Sequence, residues 1–250
     1  MHDRPVALVT GASQGIGLQI VKDLTAKGFT VLLGSRNFER GEAAAKEVGP
    51  DAVALQLDVT DLPSIAAAAA RIRTEFGRLD VLVQNAAIAT TSENVQSAQE
   101  FIAASRPSVV SLDEMRAVWN TNVFGVLAVY QAMVPILRST PNSRIVNVSS
   151  ASGSLTMASD PNSPVRLGFE VTYAASKTAL NALTVAMAIE LEADGIRVNA
   201  MTPGSTKTKM NPGGTDTVEE GAAEAVRLAT IITEGTSGTF THATYGALPW

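Results

Sequence analysis

Residues 6–17 read Val6-Ala7-Leu8-Val9-Thr10-Gly11-Ala12-Ser13-Gln14-Gly15-Ile16-Gly17, an apolar run that passes through three glycines into an amphipathic stretch. A strand that feeds a helix through such a turn uses glycine for two ends. The chain reverses within a few residues, and its backbone comes close to whatever sits on the positive helix N-terminus. A pyrophosphate suits that position, and the competing reading is a turn with no ligand. The spacing is G-x-x-x-G-x-G, which differs from the commoner G-x-G-x-x-G dinucleotide fingerprint.

Outward from this turn, short β-branched runs alternate with long amphipathic stretches. Strands are expected at 6–10, 30–34, 52–57, 81–85, 144–149, 196–201 and 238–241, and helices at 15–27, 37–48, 63–76, 112–137, 173–192 and 218–229. That alternation predicts an α/β fold, a Rossmann-type doubly wound parallel sheet of about seven strands with helices on both faces, in one domain spanning residues 1–250. Ser111 with Glu114, and Thr217 with Glu220, have capping-box spacing and mark two helix starts. The run Ala66 to Ala70 reads as a helix seated close to the sheet, since alanine is both small and the best helix former. Residues 86–110 and 151–172 fit no element. Both follow the carboxyl end of an expected strand, where doubly wound sheets bind ligands.

Composition narrows the function. The chain carries 19 Lys and Arg against 24 Asp and Glu, a formal net charge of −5, so the basic surface of a nucleic-acid binder is missing. Charged residues are 17% and hydrophobic ones 46%, which points to a large core or to subunit contacts; a homo-oligomer, dimer or tetramer, or else a monomer, is expected. There is no cysteine, and the two histidines, His2 and His242, stand near opposite ends. A thiolate nucleophile, a cysteine zinc site and a histidine triad are therefore not expected, and neither is a metal. The apolar run after the polar start is too short for a signal segment, and the longest apolar stretch, 123–137, contains Gln131 and Pro135 and falls short of the ~20 residues of a membrane span. The expectation is a cytoplasmic protein that binds neither membrane nor nucleic acid.

Two further stretches speak about chemistry. After the second strand, where an acidic residue would hold a free ribose 2′-hydroxyl, the chain reads Leu32-Leu33-Gly34-Ser35-Arg36-Asn37 without a carboxylate. The Arg36 guanidinium suits a 2′-phosphate, with Ser35 and Asn37 able to add hydrogen bonds, so NADP(H) is the expected cofactor. The alternative is a surface arginine that opens a helix. Tyr173 and Lys177 are four residues apart and share a helix face, so the cation favours the phenolate and brings a phenol of pKa ~10 toward the working range. Taken alone, an ordinary amphipathic helix explains that pair equally well.

Together these motifs give the chain its likeness. Thr10 to Gly17 matches T-G-x-x-x-G-x-G, and the remaining segments follow in order, so the sequence resembles the short-chain dehydrogenase/reductase family from Thr10 to Thr208. The resemblance implies that Gly11, Ser13, Gln14, Gly15, Ile16 and Gly17 hold the cofactor pyrophosphate. Gln14 stands where many NADP-using relatives carry a basic residue. Asp58 and Val59 would meet the adenine, with a turn or cap aspartate before Pro63 as the rival reading of Asp58. Asn85 and Ala86 would lie near the adenosine ribose. They sit in Gln84-Asn85-Ala86-Ala87, where N-N-A-G is usual, and Ala87 suits that place only if the position does not need positive φ. In N-x-x-G the asparagine is Asn122 rather than Asn120, holding a water that links the lysine to solvent. The register of Ser149-Ser150-Ala151-Ser152-Gly153 selects Ser150 as the catalytic serine. Pro203, Gly204, Thr206 and Thr208, in a P-G-x-x-x-T segment, would contact the nicotinamide and its phosphates.

The tail, from Gly235 to Phe240 and closing on Pro249-Trp250, resembles the carbonyl-reductase branch, as does the long segment before Tyr173. The implied activity is reduction of a ketone or aldehyde carbonyl by NADPH, with Asn122, Ser150, Tyr173 and Lys177 at the reaction centre. The alternatives are a β-ketoacyl-type reductase, a secondary-alcohol dehydrogenase, and more remotely a non-catalytic dinucleotide sensor. Residues 151–172 are expected to wall the substrate pocket with apolar side chains, or else to be a surface or interface insertion.

Overall fold

The computed structural model describes residues 4–92, 97–231 and 236–250, so His2 and Gly235 lie outside the described residues. Seven strands run parallel: β1 (Val6–Val9), β2 (Thr30–Ser35), β3 (Ala52–Gln56), β4 (Val81–Gln84), β5 (Arg144–Val148), β6 (Arg197–Met201) and β7 (Phe240–His242). Their order is β3-β2-β1-β4-β5-β6-β7, with the doubly wound switch point between β1 and β4. An eighth strand, β8 (Gly246–Ala247), pairs antiparallel with β7 and takes the sheet one strand beyond the expected seven. Two residues are too few to show alternation. The hairpin is made by the His242 Nδ1, which accepts from the Thr244 and Tyr245 amides, and by Gly246 at φ 67°.

The strands are apolar on both faces, as a covered parallel sheet requires. Val6, Leu8, Leu32, Leu82, Ile145 and Val198 face one core with α3 (Leu62–Arg71), α6 (Val126–Arg138) and α8 (Tyr173–Glu190). The alternate residues Ala7, Val9, Val31, Leu33, Val83 and Val146 face a second core with α1 (Gly15–Ala26), α2 (Phe38–Val48) and α9 (Val218–Thr230). Ala68 and Ala69 of the alanine run are buried, so that run is a packed helix.

Several expectations need correction. The helix expected at 112–137 is α5 (Leu112–Trp119), a π-helical turn at 120–125, and α6, with Asn122 in the wide turn. π turns of this kind gather at functional sites. The whole run, Leu112–Arg138, is 27 residues long and its most apolar 18-residue window has mean hydropathy 1.3, enough by length and composition to cross a membrane, and so longer than the apolar stretch alone suggests. Half of its most apolar window is buried within this fold. The segment 86–110 contains α4 (Ala98–Ala104), which has a complete capping box of Ser97 and Glu100. The segment 151–172 contains a 3₁₀ turn at 151–153, α7 (Leu155–Ser159) and a second 3₁₀ turn at 164–168. All are too short to display a 3.6-residue period. Thr217 and Glu220 do form a capping box at α9. Ser111 caps α5, but Glu114 does not reciprocate: its carboxylate accepts from the Thr90 hydroxyl (2.6 Å), the Thr91 amide (2.7 Å) and the Thr91 hydroxyl, pinning the chain that leaves β4.

Candidate active site

The glycine turn is locked by the end of β4. Thr10 Oγ1 accepts from the Asn85 and Ala86 amides, both at 3.0 Å, while Asn85 Nδ2 donates to the carbonyls of Thr10 (2.9 Å) and Gly11 (3.1 Å). Packing there leaves no room for a side chain. A Cβ on Gly11 would lie 2.8 Å from Ala86 Cα, and one on Gly17 would lie 2.5 Å from Asn85 Nδ2. Gly11 and Gly15 have φ of 62° and 58°, whereas Ala87 is not among the positive-φ residues, so alanine fits its position. Helix α1 begins at Gly15 with no side-chain cap, which leaves its amino-terminal amides open toward a ligand.

At the end of β2, Ser35 and Asn37 are committed locally. Ser35 Oγ donates to the Asn37 carbonyl, and Asn37 Oδ1 caps α2 by accepting from the Arg40 amide. Arg36 is exposed, and its guanidinium has no partner among the described residues. Of the three polar residues expected around a 2′-phosphate, Arg36 is the one left free. Asp58 Oδ1 accepts from the Thr60 amide and hydroxyl, a tight local turn, while the cap of α3 is Asp61. Val59 is buried beneath the π turn, where a Cβ on Gly125 would lie 2.7 Å from the Val59 carbonyl oxygen.

The two serines after β5 separate cleanly. Ser149 is buried and donates to Asn181 Oδ1 at 2.6 Å, whereas Ser150 lies at the carboxyl edge, half-buried, and accepts from the Ser152 amide. Across from it, Tyr173 opens α8. Burial pushes its phenol up to about 12, the neighbouring Ser150 hydroxyl pulls it down, and the Glu170 charge raises it again. Lys177, one turn on, is 2% exposed; its Nζ donates to the Val148 carbonyl (2.8 Å) and lies 5.6 Å from the Tyr173 ring centre. Burial lowers its pKa to about 8. The expected lowering of the phenol by the ammonium is therefore not what the chain alone delivers: loss of water around the phenolate raises it instead.

Asn122 is fully buried. Its Oδ1 accepts from the Ile88 amide, and its Nδ2 donates to the Ile88 carbonyl and to Ser176 Oγ on α8, so it ties the chain after β4 to the helix that carries Tyr173. Gly153 allows α8 to seat against the 3₁₀ turn that follows β5: a Cβ there would lie 2.7 Å from the Lys177 carbonyl carbon. After β6, Pro203 and Gly204 (φ 73°) turn the chain at the same edge. Thr206 departs from the expected cofactor contact, since it is buried and its hydroxyl donates to the Pro203 carbonyl. Thr208 lies over the glycine turn, its methyl 3.6 Å from where a Gly15 Cβ would be.

The segment 151–172 is tied to the tail and to α5. Ser154 Oγ donates to the Pro249 carbonyl (2.7 Å), the Thr156 amide donates to the Trp250 carbonyl (3.0 Å), and Trp119 Nε1 donates to the Val171 carbonyl (3.3 Å). Leu155 and Leu167 are 53% and 81% exposed. A residue of this region that the sequence motifs do not single out is Glu170, whose carboxylate accepts from the amides that begin α8. It lies in a stretch without periodicity, two residues before Thr172. A surface depression of about 380 Å³ lined by Lys22, Ala26, Val48 and Pro50 lies at the opposite edge of the sheet and touches none of these groups.

A family model described as short chain dehydrogenase matches residues 5–218. Salutaridine reductase from Papaver somniferum is 31% identical over 293 residues, covering 95% of this chain and 94% of that protein. Its solved structure superposes with a TM-score of 0.80, covering 96% of this chain and 100% of the other. (-)-Isopiperitenone reductase from Mentha piperita is 32% identical over 299 residues, covering 94% of this chain and 95% of the relative. A 3-ketoacyl-(acyl-carrier-protein) reductase from Brucella melitensis, solved in complex with NADH, matches with 25% identity and a TM-score of 0.78 over 96% of each chain.

Proposed function

The chain belongs to the short-chain dehydrogenase family, and from that premise we propose that it reduces the carbonyl group of a ketone or aldehyde to the alcohol, with NADPH as reductant. The observation that carries the reading is the meeting of Ser150 with the Tyr173 phenol at the carboxyl edge of the sheet, with the Lys177 ammonium 5.6 Å from the same ring.

The glycine turn fits a dinucleotide, because Gly11 and Gly17 leave no space for a Cβ and α1 starts uncapped. Gly11, Ser13, Gln14, Gly15, Ile16 and Gly17 would hold the pyrophosphate, Arg36 the 2′-phosphate, and Asp58, Val59, Asn85 and Ala86 the adenosine half. Pro203, Gly204 and Thr208 would border the nicotinamide half. When bound, the reduced nicotinamide supplies the hydride.

The chain's own residues handle the oxygen and the proton. Ser150 donates a hydrogen bond to the substrate oxygen, and Tyr173 gives that oxygen its proton as the alcohol forms. A phenol held up near 12 stays protonated at neutral pH, which suits a donor. Lys177 binds ribose hydroxyls and lends positive charge beside the phenolate that remains, and Asn122 holds the turn through which the proton is replaced. Residues 151–172, anchored at Ser150 and Tyr173, border the substrate and favour bulky apolar substituents.

NADPH oxidation against a panel of ketones, aldehydes and keto esters, repeated with NADH, is the direct test. Turnover with NADPH and a ketone is the expected result. Activity confined to β-ketoacyl thioesters, or found only in the alcohol-oxidising direction, would select the corresponding relative instead. Cofactor binding without any turnover would indicate a sensor. A cytoplasmic homo-oligomer, dimer or tetramer, is proposed alongside, and light scattering of the purified protein reads the assembly.

A further inference from the structure

Glu170 belongs to none of the motifs above, yet it controls the start of the helix that carries them. It is 3% exposed. Its Oε2 accepts from the Thr172 amide at 2.6 Å, both carboxylate oxygens accept from the Tyr173 amide at 3.0 Å, and Oε1 accepts from the Ala174 amide at 2.5 Å. Its backbone carbonyl accepts from the Ala175 amide at 3.0 Å. Four successive amides at the head of α8 thus end on one residue.

The first turn of a helix has no partners of its own for these donors, and in a buried site water does not supply them. The usual remedy, a hydroxyl cap, fails here. Thr172 already has helical φ and ψ of −84° and −71° and makes no cap, and its own hydroxyl is buried without a partner among the described residues. A neutral cap satisfies one or two donors, whereas a carboxylate accepts several charge-assisted bonds and sits favourably in the field of the helix N-terminus.

The position of this cap matters because of what it holds. Tyr173 is the first residue of α8, where helices fray, and its phenol has to meet Ser150 on a different element. Lys177 lies a full turn further in and has its own anchor on the Val148 carbonyl. We propose that Glu170 is a positioning residue for catalysis: it fixes the backbone of Tyr173, and so the direction of the phenol, without touching substrate or cofactor. This inference rests on the reading of Tyr173 as the proton donor.

The test compares Glu170→Ala, Glu170→Gln and Tyr173→Phe with the parent in the same NADPH-oxidation assay. Each protein also has its NADPH dissociation constant measured by fluorescence. A displaced acid costs turnover while the distant glycine turn is unaffected, so Glu170→Ala is expected to lower kcat by ~10–100-fold, with NADPH affinity within about threefold of the parent. Glu170→Gln keeps one acceptor oxygen but turns an amide toward like donors, and falls between the two. Hydrogen exchange at residues 172–175 is expected to speed up in both. A role confined to stability would weaken NADPH binding and kcat together. That result, or a kcat within twofold of the parent in Glu170→Ala, overturns the proposal; if Glu170→Ala does not fold, the same split in Glu170→Gln decides. Loss of turnover in Tyr173→Phe with full kcat in both Glu170 variants refutes the cap alone. Parental turnover in Tyr173→Phe refutes the reading of Tyr173, and the cap's catalytic role with it.

Discussion

Lys177 is a cation in a place that resists charge, and replacing it by methionine should make that visible in the pH dependence of stability. The residue is 2% exposed, with Nζ held by the Val148 carbonyl, and burial lowers its pKa to about 8, against ~10.4 for a free lysine. Between those values the unfolded chain binds a proton that the native protein has released, so native stability rises with pH across that window. Below pH 8 both states are charged, and keeping the charge buried costs about 3 kcal/mol, the free-energy equivalent of the two pKa values. From pH 7 to pH 9.5 the parent should therefore gain about 2 kcal/mol over Lys177→Met, which has nothing to titrate there. At pH 7 the variant loses the bond to Val148, leaving a buried carbonyl that costs about 1–3 kcal/mol, so it should equal the parent or exceed it by up to ~2 kcal/mol. Tyr173 has its pKa raised and is common to both proteins; it alters stability only above the ordinary phenol range, outside this window. Urea unfolding of both cofactor-free proteins at pH 7.0, 8.5 and 9.5, followed by circular dichroism, measures the difference. A parent-minus-variant stability that stays flat across the series, or falls as pH rises, would show that Lys177 is not a desolvated cation and refute the reasoning.

Further outcomes are expected from four sets of variants. Tyr173→Phe keeps the ring and removes the proton donor, so turnover should be nearly abolished with NADPH affinity retained; a folded variant within a few-fold of parental kcat would exclude Tyr173 as the acid. Arg36→Asp removes the free guanidinium at the end of β2 and installs a like charge, so kcat/KM with NADPH should fall by about two orders of magnitude or more while that with NADH holds or rises, and a parent that prefers NADH sinks the assignment. Gly153→Ala puts a Cβ 2.7 Å from the Lys177 backbone, where rigid backbone cannot yield; a loss of about 1–3 kcal/mol is expected, read as a fall of several degrees in Tm, and an unchanged Tm would contradict the close packing of α8 on the turn after β5. Alanine at Leu155, Met157 and Phe169 should change the ranking of bulky over small ketones, whereas equal effects on every substrate would make the segment an insertion with no part in selection.

Local signals carried much of the architecture. Glycine at positive φ, a β-branched run ended by a turn, and alternating residues on two buried faces are properties of a few neighbouring positions, so the seven parallel strands and the glycine turn were legible in the residues themselves. The preference for Ser150 over Ser149 came from the register to Gly153, a feature of the likeness rather than of the residues alone, and packing spends Ser149 on Asn181 in the core. Where a polar group finds its partner was a different matter. Glu114 has capping-box spacing from Ser111, yet its carboxylate goes to Thr90 and Thr91, more than twenty residues back. Asn37 and Thr206 carry the right chemistry for a ligand, yet one caps a helix and the other closes its own turn. Glu170 stands two residues before Thr172, whose backbone is already helical and whose hydroxyl makes no cap, so the amides of Thr172, Tyr173 and Ala174 end on the Glu170 carboxylate. The balance at Tyr173 was likewise set by packing. Spacing put a cation on the same helix face, but the phenol's pKa follows from how much water the assembled elements exclude, and exclusion is a property of the fold around the residue rather than of the residue and its neighbours in the chain.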